Sequence, residues 1–330
     1  MSPLKKSGSR SAADAFPIPH TMRALVLDGV GFDRLHIAQV PVPRPGPRQM
    51  LARVDAAGIC TSLIKLVEQG PAHHFLYGWD LARYPLILGD EGSITLVQVG
   101  EQLRQRYRPG QRYVIQPAVD HPPINHIERY QDRAGGIDKI AVGYTLSGHL
   151  AEYILVTEEV LAAECLIPLP DRSLAYAHAA LAEPFSCVIY AQDHHLHLTQ
   201  PSPGAARCVL KGLKPGGVTV ILGAGAMGRM HVDLALSYHP QAIVVDLLEE
   251  RLELVRRLFT IRAEALGVVL RAVNPGATAL NALVTLVTGG RMADDVIVAV
   301  GSRQAIETAQ RCAGLPRPGR WFSSPAPGRS

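Results

Sequence analysis

The pattern of hydrophobic and polar positions changes near the middle of the chain. In the first half, short apolar runs with partial alternation indicate β-strands at four places. These predicted strands cover residues 22–28, 50–56, 93–100 and 149–156. Pro-rich connections such as residues 41–47 separate them. The pattern predicts a barrel-like β domain with a few short helices.

After about residue 173, short apolar strands alternate with amphipathic helices. This order is typical of a parallel, doubly wound α/β sheet. A polar stretch rich in Pro and Gly, residues 194–217, is interpreted as a surface insertion before the first strand of this half. The predicted helices cover residues 173–193, 226–238 and 248–259, and the predicted strands cover 218–222, 242–246 and 296–300.

Composition fits this picture of two α/β-type domains. The chain has 330 residues, of which 47% are hydrophobic and only 5% aromatic. The cores must therefore be filled mainly by Ala, Val, Leu and Ile, as in proteins with buried parallel strands. The net charge of +4 comes from 33 basic and 29 acidic residues. So balanced a charge argues against a nucleic-acid partner.

Cysteine usage and the apolar runs bear on the compartment. The five cysteines are scattered, and no pair has CxxC spacing. An odd number without a framework indicates a reducing cytosol, so a cytoplasmic location is expected. No apolar run is long enough to span a bilayer, and no apolar stretch follows the basic start. Neither a secretory signal nor a membrane partner is expected.

A glycine loop lies between the first predicted strand and helix of the second half. It reads Gly223-Ala224-Gly225-Ala226-Met227-Gly228, a GxGxxG pattern. The first Gly permits a tight turn, the second lets a pyrophosphate approach the backbone, and the third allows close helix–strand packing. The N–H groups at the helix start then bind phosphate. The alternative is a glycine turn that only packs a helix on a strand.

An acid ends the next predicted strand, at Asp246. Its carboxylate can accept hydrogen bonds from an adenosine ribose and would repel a 2′-phosphate, so NAD is predicted over NADP. Arg251 on the following helix can contact the same ribose or can be a solvated helix charge.

Several short motifs resemble one enzyme family when taken in order. They are Gly58-Ile-Cys60-Thr-Ser62, Leu88-Gly-Asp90-Glu91-Gly92, Arg108-Pro-Gly-Gln-Arg-Tyr-Val114 and Ala182-Glu183-Pro184. With the glycine loop that follows, this set resembles the zinc-dependent medium-chain dehydrogenases, and most closely their sorbitol and threonine dehydrogenase branch. The resemblance covers roughly residues 22–313. It implies a GroES-like β-barrel catalytic domain followed by a Rossmann domain.

The resemblance also implies a catalytic zinc and a proton relay. One zinc would be held by Cys60, Asp90, Glu91 and Glu183, and the Ser62 hydroxyl would relay the substrate proton. Thiolate and carboxylate both bind Zn²⁺, and an open position lets the metal polarise a substrate oxygen. Hydride would pass from the carbinol carbon to NAD. Each of these residues also has a plain structural interpretation, such as a buried thiol or a solvated turn.

The sequence departs from the family at three places. Asp90 stands where the family has a zinc-binding His, so the site gains an anion. Lys65 stands at the position of a relay His, where it can offset that anion or point to solvent. The four-cysteine structural zinc lobe is absent, because residues 116–136 contain no cysteine. The histidines of that stretch and of two local clusters are interpreted as solvated; they are His121, His126, His73, His74, His194, His195 and His197.

These observations give the following expectations for the whole chain. The predicted domains are a flexible tail (1–21), a GroES-like domain (22–172), a Rossmann domain (173–313) and an irregular tail (314–330). Because the family continues for two more strands, a C-terminally incomplete Rossmann domain is expected. The predicted function is zinc-dependent hydride transfer between NAD(H) and a secondary alcohol, polyol or sugar derivative. The alternatives are an inactive dinucleotide-binding protein and a zinc-free reductase. The resemblance implies a homo-oligomer for full-length members.

Overall fold

The structure is a computed structural model that describes residues 17–120, 124–169, 173–200, 202–238 and 241–313. The predicted tail 314–330 and residues 1–16 of the predicted N-terminal tail lie outside the described residues, as does His121. The chain divides into two compact units, Met1–Pro184 and Phe185–Ser330.

The first unit is built mainly from antiparallel strands. Its elements are β1 (Thr21–Leu27), β2 (Leu35–Pro41), β3 (Met50–Ala57), α1 (Ser62–Gln69), β4 (Leu86–Ile87), β5 (Gly92–Val99), β6 (Arg112–Ile115), β7 (Ala118–Val119), β8 (Ile140–Ala141), β9 (Tyr153–Val156), α2 (Glu158–Ala162), β10 (Leu166–Pro168) and α3 (Tyr176–Ala180). Among the described residues the largest sheet has the order β10-β6-β5-β3-β9, and two smaller sheets have the orders β2-β1-β4 and β7-β8.

A large apolar core fills most of the first unit, beside a smaller cluster around Met22 and Leu51. It combines residues from strands, such as Leu27, Met50 and Ile94, with Leu66 of α1. Leu63, Leu66 and Val67 of α1 are all buried, at the i, i+3, i+4 spacing that places them on one helix face. This anchoring fixes the N-terminus of α1, where Ser62 stands, against the sheet.

The second unit contains the predicted parallel sheet. α4 (Ala182–Asp193) runs from the end of the first unit into it, and the further elements are β11 (Leu196–Thr199), β12 (Cys208–Lys211), β13 (Val218–Leu222), α5 (Ala226–Ala235), β14 (Gln241–Val245), α6 (Glu249–Ala265), β15 (Leu270–Val273), α7 (Leu280–Thr288), β16 (Asp295–Val298) and α8 (Arg303–Cys312). The described parallel sheet has the order β15-β14-β13-β16.

Both faces of this sheet are covered, so the doubly wound prediction is confirmed. On one face Ile221 and Val244 pack with residues of α5 and α6. On the other face Val220 and Ile243 pack with residues of α7 and α8. Neighbouring strand residues therefore point into different cores, which explains why apolar residues occupy consecutive positions, such as Val220 to Leu222 and Ala242 to Val245.

Two predictions about local structure need correction. The single helix predicted for residues 173–193 is two helices, α3 and α4, separated at Leu181. Pro184 explains the break, because its ring lacks an N–H and clashes with the carbonyl four residues earlier. The predicted insertion 194–217 is not only a loop, since β11 and β12 form an antiparallel hairpin within it. The division between the units also falls later than the predicted boundary at residues 172 and 173.

Candidate active site

The loop after β3 brings Cys60 and Ser62 together. The half-buried Cys60 accepts a hydrogen bond from the Ser62 backbone N–H, with an N–Sγ distance of 3.5 Å. The Ser62 hydroxyl donates to Oδ2 of Asp90 at 3.0 Å. A hydroxyl at the start of α1 is thus placed between a thiol and a carboxylate.

The turn between β4 and β5 holds the two acids of the site. Gly89 has a φ of +107°, a conformation that favours glycine and turns the chain sharply before Asp90. Asp90 and Glu91 are both buried. Gly58 lies so close to the Glu91 side chain that a Cβ there would be 2.0 Å from Oε1. The loop after β3 and this turn therefore pack directly against each other.

The charges in this region act strongly on one another. Burial raises the pKa of Glu91 to about 7, and the charges of Asp90 and Glu183 act in the same direction. Burial also raises the pKa of the Cys60 thiol, and the charges of Asp90 and Glu91 contribute to the rise. Because each anion penalises the others, the cluster favours the binding of a cation.

The donor chemistry of the four predicted zinc ligands fits Zn²⁺. Oδ1 of Asp90 is buried and has no hydrogen-bond partner among the described residues. A buried carboxylate oxygen without a partner is costly and is suited to a metal ion. However, no three of Cys60, Asp90, Glu91 and Glu183 have ligand atoms within 4.8 Å of one another in the described part of the chain. The ligands lie in one region without forming a closed coordination shell.

Tyr144 and His73 belong to this region and were not predicted. Burial raises the pKa of Tyr144, as do the charges of Asp90, Cys60 and Glu183, whereas hydrogen bonding with Ser62 lowers it. His73 stacks on Tyr144 with ring centroids 5.4 Å apart. His73 was predicted to be solvated, but it is buried; burial lowers its pKa, and the charges of His74 and Lys65 act in the same direction. Lys65 itself is exposed on α1.

Sequence reasoning missed Tyr144 because this residue lies in none of the short motifs that resemble the dehydrogenase family. The residue is more than 50 positions from Asp90 and Cys60, and only the packing of the loop after β8 brings it near them. Gly143 was the available signal: it has a φ of +83°, and a Cβ there would lie 2.7 Å from the Asp90 backbone nitrogen. The glycine directly before Tyr144 is therefore the sequence signal for the close approach of this loop to the Asp90 backbone.

The glycine loop of the second unit has the geometry that its pattern predicts. Gly223 has a φ of +107° directly after β13. A Cβ at Gly228 would lie 1.8 Å from the carbonyl oxygen of Gly223, so this glycine permits the contact between α5 and the strand. A Cβ at Gly225 would meet nothing within 4 Å. Open space therefore faces the N-terminus of α5, where Ala226 and Met227 follow.

The Asp246 carboxylate ties this loop to the next one. Its Oδ2 accepts from the Ala224 backbone N–H at 2.8 Å, and its Oδ1 accepts from the Leu248 N–H at 2.9 Å. Arg251 lies 3.5 Å from Oδ2. Burial alone would raise the pKa of Asp246, but the two N–H donors and Arg251 hold it below its usual range. The acid is therefore ionised and fixed in place beside the glycine loop.

Two of the remaining histidines need a correction. His195 and His197 were predicted to be solvated loop residues, but both lie 2.9 Å from Oδ1 of Asp295. The reason is the hairpin, which places both rings on the side that meets β16. His126 is exposed and lies 3.6 Å from Glu128, and the rings of His74 and Phe75 are 4.1 Å apart. Exposed His194 contacts the Tyr190 carbonyl through Nδ1 at 2.9 Å.

Comparison with known proteins identifies one domain of the chain and several similar dehydrogenases. Residues 46–171 match the alcohol dehydrogenase GroES-like domain. The chain is 27% identical over 232 residues to sorbitol dehydrogenase of Gallus gallus, covering 69% of this chain and 58% of that protein. A protein of Sinorhizobium meliloti 1021 described as a zinc-binding dehydrogenase, bound to NADP, has 25% identity and a TM-score of 0.64, covering 89% of this chain and 74% of that one. Residues 46–171 therefore form an alcohol dehydrogenase GroES-like domain, and the chain as a whole is similar to zinc-type alcohol and polyol dehydrogenases.

The chain is also similar to an enzyme that is named for a sugar phosphate. It is 31% identical over 279 residues to L-sorbose 1-phosphate reductase of Klebsiella pneumoniae. That match covers 83% of this chain and 62% of the relative, so the chain spans about six tenths of the length of such relatives. The predicted GroES-like fold of the first unit is confirmed by the domain match. None of the helices in the described ranges has the length and apolar character to cross a membrane.

Proposed function

We propose that this chain is a zinc- and NAD-dependent oxidoreductase that transfers hydride between NAD(H) and a secondary alcohol of a polyol or sugar derivative. The observation that carries the proposal is the 3.0 Å hydrogen bond from Ser62 to Asp90, beside Cys60. It joins a relay hydroxyl to a carboxylate whose second oxygen is buried and has no partner among the described residues.

The first unit supplies the groups for proton transfer. Zinc, when bound by Cys60, Asp90, Glu91 and Glu183, would polarise the substrate oxygen and lower the proton affinity of the alcohol. Ser62 Oγ can accept the alcohol proton as it gives its own proton to Oδ2 of Asp90. Tyr144 lies beside Ser62 and helps to exclude water from this relay. His73 stacks on Tyr144, and burial and the positive charge of Lys65 lower the pKa of His73.

The second unit supplies the nucleotide site. The open space at Gly225 and the free N–H groups of α5 suit a pyrophosphate. NAD carries the hydride chemistry of the reaction. The fixed carboxylate of Asp246 supports NAD over NADP, because a 2′-phosphate beside it would meet a like charge. Arg251 weakens this preference, since it places a positive charge next to the acid.

Polyols and sugar phosphates are the proposed substrate class. The support is the similarity to relatives named for sorbitol and for L-sorbose 1-phosphate. We place the protein in the cytoplasm, because its five scattered cysteines have no CxxC spacing and form no recognisable framework, as is usual in a reducing compartment.

The test is a substrate panel with a matched pair of variants. Polyols, ketoses and their phosphates are assayed with zinc and either cofactor in both directions. Ser62→Ala is expected to lower kcat by about 100-fold, since it removes a proton-transfer group. Ser237→Ala, which removes an exposed hydroxyl of the second unit, serves as the control. NADH binding without turnover on any substrate would instead support an inactive dinucleotide-binding protein, and full turnover without zinc would support a zinc-free reductase.

A further inference from the structure

A second cluster of metal-binding side chains lies in the second unit. His195 directly precedes β11 and His197 lies within it, so their alternation places both rings on the same side of the hairpin. Their ring centroids are 5.0 Å apart. Leu196 and Leu198 point the other way and are exposed.

A buried carboxylate faces the two rings. Asp295 is the first residue of β16, and its side chain is fully buried. Its Oδ1 lies 2.9 Å from Nε2 of His195 and 2.9 Å from Nε2 of His197. Its Oδ2 accepts from the Lys214 backbone N–H at 3.0 Å. This last bond fixes the plane of the carboxylate and leaves Oδ1 directed at both rings.

The three groups form a chelating set. Among the described residues they are the one group of three or more His, Cys, Asp or Glu with all ligand atoms within 4.8 Å of one another. A neutral imidazole can carry its proton on Nδ1, which frees Nε2 as a ligand. Tetrahedral zinc with bonds of about 2.0–2.1 Å holds its ligand atoms about 3.3 Å apart. The observed 2.9 Å contacts need only a small expansion to reach that spacing.

The ligand types select the metal. Two imidazole nitrogens favour Zn²⁺, Co²⁺ and Ni²⁺ over Mg²⁺ and Ca²⁺, which prefer oxygen. The Lys214 N–H on Oδ2 is the outer-shell hydrogen bond that such sites use to orient a carboxylate ligand. The ammonium of Lys214 pairs with Asp294, so it does not compete for Asp295.

We propose that His195, His197 and Asp295 bind a divalent first-row metal, with Zn²⁺ as the expected ion, and that the metal pins the β11–β12 hairpin to β16. The three residues lie outside the Cys60 region and belong to one unit. Four large apolar side chains of the hairpin are exposed, namely Leu196, Leu198, Val209 and Leu210. The hairpin therefore has little core of its own, and a metal cross-link to Asp295 would stabilise it.

The experiment measures zinc binding in a Cys60→Ser background, which weakens the predicted catalytic site. His195→Gln and His197→Gln are compared with His194→Gln. His194 is a neighbouring exposed histidine whose ring hydrogen-bonds the Tyr190 carbonyl and stacks on the Tyr190 ring. Glutamine can still hydrogen-bond Asp295, so the variants keep the fold. Isothermal titration with zinc chloride and metal content after dialysis are the two readouts.

We expect the His194→Gln protein to bind one more zinc per chain than either of the other variants. Zinc is expected to raise the thermal midpoint of the His194→Gln protein by about 5 °C at a hundredfold excess over Kd, with no comparable rise in the other two. It should also slow amide hydrogen exchange over residues 196–211. Equal zinc stoichiometry in the three proteins would overturn the proposal, as would zinc binding that leaves the exchange of the hairpin unchanged. Because Cys60 is absent from every sample, failure here leaves the proposed activity untouched.

Discussion

The two oxygens of Asp90 have different surroundings. Oδ2 accepts the Ser62 hydroxyl, whereas Oδ1 is buried without a partner among the described residues. An acid in place of a histidine would add a negative charge to a bound zinc, which strengthens the binding of the ion and weakens it as a Lewis acid. The side chain can thus act both as a metal ligand and as the end of a proton relay.

Substitution of Asp90 separates these two roles. Asp90→Ala should weaken zinc binding by about 100-fold or more. The reason is that the loss of a hydrogen-bond partner of a metal ligand already lowers metal affinity by up to about 100-fold. Asp90→His should retain zinc, since imidazole is also a zinc ligand. Zinc content after dialysis gives the result, with Glu68→Ala, an exposed acid on α1, as the control. Full zinc retention in Asp90→Ala would show that Asp90 is not a ligand.

Asp246 has a structural role, and a role in cofactor selection is predicted for it. Its carboxylate accepts two backbone N–H groups, so it holds the glycine loop in place before any nucleotide binds. Its negative charge would then act on the ribose, or on the 2′-phosphate, of a cofactor bound beside the loop. A substitution that removes the charge but keeps an acceptor oxygen distinguishes the two effects.

Asp246→Asn removes the charge but keeps one acceptor oxygen. We expect it to weaken NADH binding by roughly tenfold. The difference in affinity between NADH and NADPH should also become smaller, because the repulsion of a 2′-phosphate is lost. Fluorescence titration with both cofactors measures this, and Glu250→Gln on α6 is the control. Tighter binding of NADPH than NADH by the unmodified chain would contradict the predicted preference.

At the scale of elements, the contact between β13 and α5 depends on Gly228. Its position leaves no room for a side chain, since a Cβ would lie 1.8 Å from the Gly223 carbonyl oxygen. A backbone atom cannot move aside as the end of a flexible side chain can. Gly225, in contrast, faces open space and has a φ of −66° that any residue adopts.

The two glycines should therefore respond differently to alanine. Gly228→Ala is expected to lower the free energy of unfolding of the second unit by about 1–3 kcal/mol, because α5 must shift away from the sheet. Gly225→Ala should leave stability nearly unchanged but weaken NADH binding, because the methyl group occupies space near the phosphates. Urea unfolding by circular dichroism and NADH titration provide the readouts. Equal loss of stability in both variants would contradict the assignment.

At the scale of the whole molecule, each unit has its own core, and the first also contains a fully buried histidine. Burial lowers the pKa of His149 to about 4, although its hydrogen bond to the Gly89 carbonyl acts in the opposite direction. The ordinary pKa is 6.5, so between pH 6.5 and 4 the unfolded chain binds a proton that the folded chain does not. Stability must therefore fall as the pH decreases through this range.

Between pH 7.5 and 5, His149 alone should cost the first unit about 2 kcal/mol of unfolding free energy. Trp79, buried in this unit, reports its unfolding by fluorescence when Trp321 is replaced by Phe. In that background His149→Gln is expected to reduce the fall in unfolding free energy below pH 6.5. His36→Gln, at an exposed position on β2, should leave that fall unchanged. An unchanged slope in His149→Gln would mean that other groups cause the acid sensitivity.

The sequence by itself determined the elements whose signals are local. The apolar run of residues 218–222 leads directly into the glycine loop, so strand, turn and helix follow from neighbouring residues. The next apolar run leads in the same way to the acid at 246, and the structure contains these elements with bounds within a few positions. The family resemblance likewise rests on short motifs around Cys60, Asp90 and Glu183. Their roles as zinc ligands stay a prediction.

Tertiary structure decided the features that join distant segments. Tyr144 lies near Ser62 only because Gly143 lets its loop approach the turn at Asp90. Asp295 meets His195 and His197 only because a hairpin folds against the start of β16, about a hundred residues later in the chain. Periodicity reports which face of one element is apolar, but it carries no information on which other element covers that face. Packing of the completed core makes that choice, and with it places the polar groups that a site requires.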